Sequence, residues 1–502
     1  MRYALTTASS LSAALLASLC ASSALASGYH FGTQSAAAQG TANANAAEAS
    51  DASLLFYNPA GMTRLKGINA SGVLNVVIPD GKYTDQGSTT QFNLPTGGGN
   101  GGKFVKTTAV PHAYLTYQLN KDLSAGFAMF VPFGSKSEYE PDWTGRYNSI
   151  GTELKTIALN PSIAYKLNDK LSLGAGLTAQ FIEGKLSKGA DFGSGALALV
   201  VEQQVAANAQ PGVPIEVVRA AVINKLSGLI KQVSGNPLYS GGVKVEGDDW
   251  GFGFNLGLMY QYDENTRFGL AYRSSIKNRL EGEAKWNVKT PAGNLAALLN
   301  GALPGAGSQV EARLLAAYTD SDASLKVDTP ESLSFSFFKQ ENKLAVMGDL
   351  TLTRHSRFKE LRIDFANQLP DSLTPEGWIN TFRASFGVNY LLNDSIKLRG
   401  GLAFDQSPVS QRTRTPSLPD NDRAWVSTGL NWKLDNKSSV DFALSYVHVK
   451  DSQVNSFDNG GQTNAIGSAI CNPSGNTSSC ATVRGRYQLS SALLGIQYNR
   501  EF

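Results

Sequence analysis

The chain has 502 residues, 50 glycines, 17% charged residues and a formal charge of +3. That excess is small and scattered, which argues against a nucleic-acid partner. No later stretch holds the ~18 consecutive apolar residues that a membrane helix needs, so hydropathy alone would describe a secreted soluble protein.

Residues 1–26 read as a signal peptide. Arg2 supplies a positive start, Leu11 to Leu19 an apolar run, and Ala24-Leu25-Ala26 a small-x-small cleavage site. Leu19 is too large to precede a lipidated Cys20. Export leaves two cysteines, Cys471 and Cys480, and an even pair in one loop of an exported chain favours a disulfide. Residues 27–66 are rich in Ala, Gly, Asn and Ser and lack a period of two. They are expected to form a periplasmic tail or a plug inside a barrel. Small residues pack closely against a barrel wall, which favours the plug. At its end, Asn58 can bond nearby backbone and Pro59 fixes φ, giving a rigid turn into the first strand.

From residue 67 onward the pattern changes. Leu171, Leu173, Ala175, Leu177, Ala179 and Phe181 share one face; Ser172, Gly174, Gly176, Thr178 and Gln180 share the other. The same alternation runs through Trp250–Tyr260 and Phe382–Tyr390. Soluble strands usually stop near five or six residues; these runs reach about ten, enough to cross a bilayer at a tilt. Short reversals rich in Asn, Asp, Lys, Glu and Ser follow Tyr117, Tyr165, Tyr260, Phe338, Tyr390 and Trp432, the chemistry of tight hairpins. Between them lie long segments near 134–152, 187–247, 282–328, 355–379 and 406–423, with two more near 80–109 and 451–483. Short turns alternating with long loops imply an outer-membrane barrel. Six paired hairpins plus strands near 67–79 and 483–502 give fourteen spans over 67–502. The aromatic before each turn belongs at the lipid–water boundary. Phe338 alone has the wrong parity, which predicts a bulge or a boundary shifted by one residue. Leu494, Ile496, Tyr498 and the terminal Phe502 share one face of the last strand.

Several segments resemble the FadL family of outer-membrane long-chain fatty acid transporters, which includes hydrocarbon channels. They are SGYHFGTQSAAAQGTA…DASLLFYNPAGMTRL, with its Asn58-Pro59-Ala60 triplet, PFG at 132–134, DTPESL from Asp328 and LPDNDR at 418–423. The resemblance implies an all-β fold: a 14-stranded antiparallel transmembrane barrel with an N-terminal plug and short helices in two long extracellular loops, about 187–247 and 282–328. It implies gating at Tyr29, Phe31, Asn58, Pro59 and Ala60, and lateral release at a kinked third strand, here interrupted by Pro132 and Gly134. It implies a greasy docking groove on the loops, where Ile215, Val218, Val222 and Leu226 form a helical stripe within 214–233 and Leu298 and Leu314 belong to the second loop. Packing of those helices on each other accounts for the same residues.

The expected function is passive uptake of long-chain fatty acids or similar hydrophobic compounds. The expected partners are that small molecule, outer-membrane lipid and the barrel assembly machinery, with a monomeric chain and no nucleic acid. An aromatic-hydrocarbon channel, a general polar porin and an outer-membrane lipid hydrolase remain open. No cofactor is implied. His30, His112, His355 and His448 lack metal-ligand spacing, and no G-x-S-x-G elbow is present, so no enzyme is expected. By parity Arg383, Lys397 and Arg399 face the lumen. They are candidates for a substrate carboxylate, or for pairing with plug acids such as Glu48 or Asp51.

Overall fold

The computed structural model describes residues 32–462, 471 and 478–502. Tyr29, Phe31 and the signal peptide lie outside the described residues. Within them, nineteen strand segments join into one closed antiparallel sheet. They are β1 (Ile68–Asp85), β2 (Thr108–Gln118), β3 (Leu123–Phe130), β4 (Gly134–Glu138), β5 (Gly151–Lys166), β6 (Leu171–Ala190), β7 (Gly241–Gln261), β8 (Thr266–Arg273), β9 (Ile276–Asn287), β10 (Ser321–Thr329), β11 (Ser332–Glu341), β12 (Leu344–Thr353), β13 (Glu360–Phe365), β14 (Ser372–Pro375), β15 (Thr381–Leu391), β16 (Ile396–Asp405), β17 (Arg423–Lys433), β18 (Ser438–Phe457) and β19 (Thr482–Glu501). Five spans are interrupted, as β3/β4, β8/β9, β10/β11, β12/β13 and β14/β15, which makes fourteen spans. β1 pairs with β2 on one edge and with β19 on the other, closing the barrel.

Five of the six tight turns share one device. Asn120, Asn168, Asp263 and Asn393 each accept, through the side-chain carbonyl or carboxylate oxygen, backbone N–H groups two and three residues on. Asp435 accepts from Lys437. Such side-chain caps reverse the chain in a few residues. The remaining turn is a two-residue link in which Asn342 takes a φ of +53°, a conformation Asn tolerates better than most residues. Tyr117, Tyr165, Tyr260, Tyr390 and Trp432 all point outward beside these turns and are 37–50% exposed. Phe338 corrects the expectation. β11 pairs with β12 without a shift, so no bulge is present. Phe338 points into the lumen, buried against Ala44, Ala47 and Met347.

Several spans are longer than expected. β1, β6, β7 and β18 hold 18 to 21 residues, against the roughly ten that cross a bilayer; β19, with 20, matches its expected bounds. The surplus forms a collar on the long-loop side, and there the polarity of the two faces inverts. On β7, Trp250 to Tyr260 present apolar residues outward, whereas Lys244, Glu246 and Asp248 point outward above them. Val243 and Val245 turn inward to join Ile182, Leu280, Ala284, Ala323, Leu325, Val327 and Ile363. The outer collar is paired by water-facing ion pairs, such as Lys155 with Glu153 at 3.0 Å and Lys185 with Glu183 at 2.8 Å.

The segment expected as loop 187–247 carries α3 (Phe192–Ala207), α4 (Ile215–Lys225) and α5 (Ser227–Val233); 282–328 carries α6 (Lys289–Ala302) and α7 (Ala306–Ala317). The expected helix over 214–233 is therefore two helices, broken at Leu226. The segment expected as loop 355–379 contains the β13–β14 hairpin, which extends the wall.

Residues 32–66 lie inside the barrel. They form α1 (Ala36–Gln39), α2 (Leu54–Tyr57) and a 3-10 turn over Pro59–Arg64. Ser35 caps α1 by accepting from Ala38 N–H and donates to Gln497 on β19. Wall glycines make room for this backbone. A Cβ on Gly174 would lie 2.4 Å from Ala60 N, and one on Gly401 2.2 Å from the Thr41 carbonyl carbon. Cys471 and Cys480 form a disulfide in the last long loop, their Cα atoms 5.7 Å apart.

Two outcomes follow. Gly174→Ala and Gly401→Ala should each displace the inner segment while the barrel stays folded, read as faster protease cleavage within 32–66 and unchanged heat-modifiable mobility in gels; unchanged cleavage would contradict the close approach. The unreduced protein should also resist a thiol reagent at Cys471 and Cys480, and become labelled only after reduction.

Candidate functional site

The inner segment is held by arginines that strand alternation aims inward. On β8, Arg267 donates to the carbonyls of Ala47 and Glu48 and lies 4.2 Å over the Phe338 ring. Arg273 donates to the Phe56 carbonyl at 2.7 Å and lies over the Phe56 and Phe130 rings. Arg383 on β15 donates to the carbonyls of Gly32 and Ala42, both at 3.3 Å, and stacks 4.7 Å over Trp425. Arg399 on β16 is different: it binds two carboxylates, Glu48 and Asp441, both at 3.0 Å. Lys397 adds a 2.8 Å bond to Glu48, and Asn389 donates to the same carboxylate. Burial alone would raise the Glu48 carboxyl, but Lys397 and Arg399 hold it well below the ordinary carboxylate range. A charge buried this fully is tolerable only when paired and bonded.

The three basic residues singled out by parity are thus split. Lys397 and Arg399 pair with the inner segment and line a polar cavity at the short-turn end, together with Asp51, Lys343 and Lys433. Arg383 lines a separate lumen cavity of about 1160 Å³, open mouth included. Arg273, which sequence reasoning passed over, lines it too. Its signal was available, because Arg267 and Arg273 share the inward face of β8 with Gly269 and Ala271. Among the described residues, no carboxylate lies within 4.0 Å of the Arg273 or Arg383 guanidinium; Asp349 and Asp405 share the cavity wall at longer range.

Asn58 and Pro59 also line this cavity. Asn58 Oδ1 accepts from Ala60 N–H at 3.1 Å and Nδ2 donates to the Leu258 carbonyl at 3.0 Å. One side chain therefore caps the 3-10 turn and ties it to β7. Ala60 is buried in the cluster of Leu55, Met62 and Phe130.

The third span breaks between Phe130 and Gly134. Val131 N–H donates to His112 Nδ1, and Phe133 exchanges two bonds with the Thr156 hydroxyl. β2 pairs with β3 only as far as Ala113 and Met129; β4 pairs with β5, and no β2–β4 ladder is present among the described residues. Proline cannot donate to a ladder, so Pro132 fits a break. Pro132 and Phe133 line the lumen cavity, which therefore reaches this gap in the wall.

Above lies a vestibule of about 1510 Å³, open mouth included, walled by Val243, Val245, Trp286, Leu361, Ile363 and Phe365, with Lys188, Arg412 and Arg414 at its polar parts. Glu376 also lines it, and burial pushes its carboxyl up to about 8.

The loop residues divide as well. Val218 and Val222 are buried against Val201 and Val205 of α3. Leu226, Leu298 and Leu314 are half-buried around Leu197, Ile230, Leu295 and Leu299. Ile215 is exposed, as are Val213, Val217 and Leu238. No group of three or more His, Cys, Asp or Glu residues that could hold a metal occurs among the described residues.

Comparison with known proteins agrees with this architecture. A putative outer membrane protein of Neisseria meningitidis serogroup B is 36% identical over 96% of both chains. The long-chain fatty acid transport protein of Escherichia coli K12 is 27% identical over 70% of this chain and 72% of its own. The solved Pseudomonas aeruginosa FadL homologue superposes with a TM-score of 0.76 at 23% identity, over 95% of this chain and all of that one. The Pseudomonas putida toluene transporter TodX gives 0.59 at 18% identity, over 90% and 94%. Residues 17–502 match the family described as outer membrane protein transport protein (OMPP1/FadL/TodX). The chain belongs to this family, and it is an outer-membrane β-barrel whose relatives transport hydrophobic compounds.

Proposed function

We propose that the protein carries long-chain fatty acids inward across the outer membrane, passively, and that residues 27–66 act as its plug. The observation that carries this reading is the inverted collar. A polar porin needs a wet mouth, whereas here strands β6, β7, β9, β10 and β13 turn apolar side chains inward above the membrane. Burial of an alkyl chain there is favourable by about 0.8 kcal/mol per CH₂, so the vestibule favours a hydrophobic cargo over ions and sugars.

The exposed Ile215 and its apolar neighbours on the loop helices offer first contact, and the vestibule wall receives the chain. The lumen cavity then presents Arg273 and Arg383, whose guanidinium groups donate to neutral carbonyls of the plug. A carboxylate is a stronger acceptor than a carbonyl, so an incoming head group can compete for Arg383 and loosen the plug at the same time. The gap beside Pro132 and Gly134 gives a lateral route out. Lys397 and Arg399 serve the plug rather than the cargo, because Glu48 and Asp441 already occupy them. An aromatic hydrocarbon is the second reading; the fold likeness to TodX motivates it, and such a cargo would have no use for Arg383.

Arg383→Ala should weaken binding of a fatty acid by roughly ten- to a hundredfold, the loss of about 1.5–3 kcal/mol expected for a charge-assisted bond. Binding of the matching alcohol should hardly change. Equal loss for both would remove the carboxylate role, and toluene uptake without fatty acid uptake would favour the hydrocarbon reading.

Deleting residues 28–50 should convert the barrel into a steady ion-conducting pore in planar bilayers. Unchanged conductance would show that these residues do not plug it.

A further inference from the structure

The vestibule and the lumen cavity are separated by one small apolar cluster. Phe133, Trp378 and Val409 are its buried members, with Leu154, Phe358 and Leu418 packed around them. Trp378 sits between the two cavities. On one side its ring meets His355 edge-to-face at 5.9 Å, and His355 and Phe133 line the lumen cavity. On the other side its indole N–H donates to the Glu376 carboxyl at 2.9 Å, and Glu376 lines the vestibule. Phe358 packs edge-on against the same indole at 4.8 Å.

The main-chain origin of these residues sets the partition apart from the wall. Phe133 lies in the break between β3 and β4, and Phe358 in the break between β12 and β13. Trp378 lies in the break between β14 and β15, and Val409 and Leu418 in the segment between β16 and β17. Of the cluster only Leu154 lies within a named strand, β5. Isolated bonds hold the backbone instead: Trp378 N–H to the Phe358 carbonyl at 3.2 Å, Gly377 N–H to the Lys359 carbonyl at 2.8 Å, and Ile379 N–H to the Pro408 carbonyl at 3.1 Å. Segments outside the cooperative ladder are those that open at low free-energy cost.

We propose that the Phe133–Trp378–Val409 cluster is an internal door between vestibule and lumen cavity, hinged on the span breaks and latched by the Trp378–Glu376 hydrogen bond. Phe133 makes the door continuous with the third-span gap, so displacing Trp378 also frees one side of that gap. The latch suits an apolar cargo. An alkyl chain can replace the side-chain contacts Trp378 gives up, whereas a polar solute cannot. This last point rests on the proposed hydrophobic cargo; the partition itself does not.

The test needs no fatty acid, so it stands apart from the transport reading. Ser334→Cys reports from the lumen cavity and Thr374→Cys from the vestibule; the native cysteines are held in their disulfide. The purified protein is treated with the small sulfonated reagent 2-sulfonatoethyl methanethiosulfonate, which stays in water and cannot enter through the detergent. The Cys at 334 should react at least tenfold more slowly than the Cys at 374. Trp378→Ala should raise the rate at 334 at least tenfold and leave 374 unchanged, while Trp378→Phe, which keeps a ring but loses the N–H, should give an intermediate rate. Should Trp378→Ala fail to fold, Val409→Ala opens the same cluster from the loop side and should also speed the reaction at 334. Equal rates at 334 and 374 in the otherwise native protein, or an unchanged slow rate at 334 in a folded Trp378→Ala or Val409→Ala protein, would overturn the door.

Discussion

Hydrocarbon offers no partner to a backbone N–H or C=O, and each unpaired group there costs several kcal/mol. The closure of β1 on β19 answers that constraint, and the rest of the molecule depends on it. Their seventeen-residue register, from Asn69 opposite Glu501 to Asp85 opposite Gly485, removes the edge that an open sheet would expose to lipid. Once the ladder is closed, side chains have two places to go. Alternation sends Leu74, Ile78, Leu494 and Ile496 to lipid and sends Asn75, Gln497 and Asp441 to the lumen. The polar lumen in turn lets a segment as polar as residues 32–66 be buried with most of its polar side chains bonded. Gln39, Asn43, Glu48 and Asn58 all find partners on the wall or within the segment.

The same constraint explains where irregularity is allowed. The breaks at Pro132, at Pro330 and between Thr353 and Glu360 interrupt spans, yet their polar groups turn to local partners. Phe133 bonds the Thr156 hydroxyl, Val131 the His112 ring and Arg354 the Glu331 carbonyl. Irregular backbone at membrane depth is tolerated where it lines a cavity, and the breaks at Pro132, Pro330 and His355 all border the lumen cavity. Cavity, lateral gap and partition are therefore consequences of one arrangement. The barrel can lose ladder bonds only toward its interior, and the space so released joins the lumen cavity.

Much of this was legible in the sequence, for a physical reason. A period of two, short Asx-bearing turns and one aromatic per turn are local features, so span number and turn positions follow from counting, whereas the inner segment was expected from its small residues and the family resemblance. What escaped is equally physical. In the collar the period of two continues while the sign of its hydropathy flips: Lys244, Glu246 and Asp248 stay on the outward parity that Trp250 and Phe252 occupy below. A search for outward apolar residues takes such a stretch for loop, and this is why β6 was expected to end early and β7 to begin late. Phe338 looked like an error of register because the aromatic rule concerns the lipid boundary, whereas this ring serves Arg267 and the inner segment. Arg383, Lys397 and Arg399 were placed in the lumen by parity alone, but parity gives no height. Their division between two cavities depends on where the inner segment lies, and that is a tertiary fact.

That division has a chemical meaning. Arg399 is enclosed by two carboxylates, and removing either partner would strand a buried charge, at a cost on the order of 3–5 kcal/mol. Such a contact holds; it does not exchange with a passing anion. Arg383 and Arg273 donate to neutral carbonyls and lean on aromatic rings, contacts worth about 1 kcal/mol each in net terms. A charged acceptor can replace those bonds without leaving a charge unpaired on either side. The lower cations are therefore ion-paired with the N-terminal segment, and the upper ones hold it through weaker bonds to neutral carbonyls. Under the proposed plug role, this mixture, paired near the short turns and held by neutral acceptors near the lumen cavity, would let one end of the segment move while the other stays fixed.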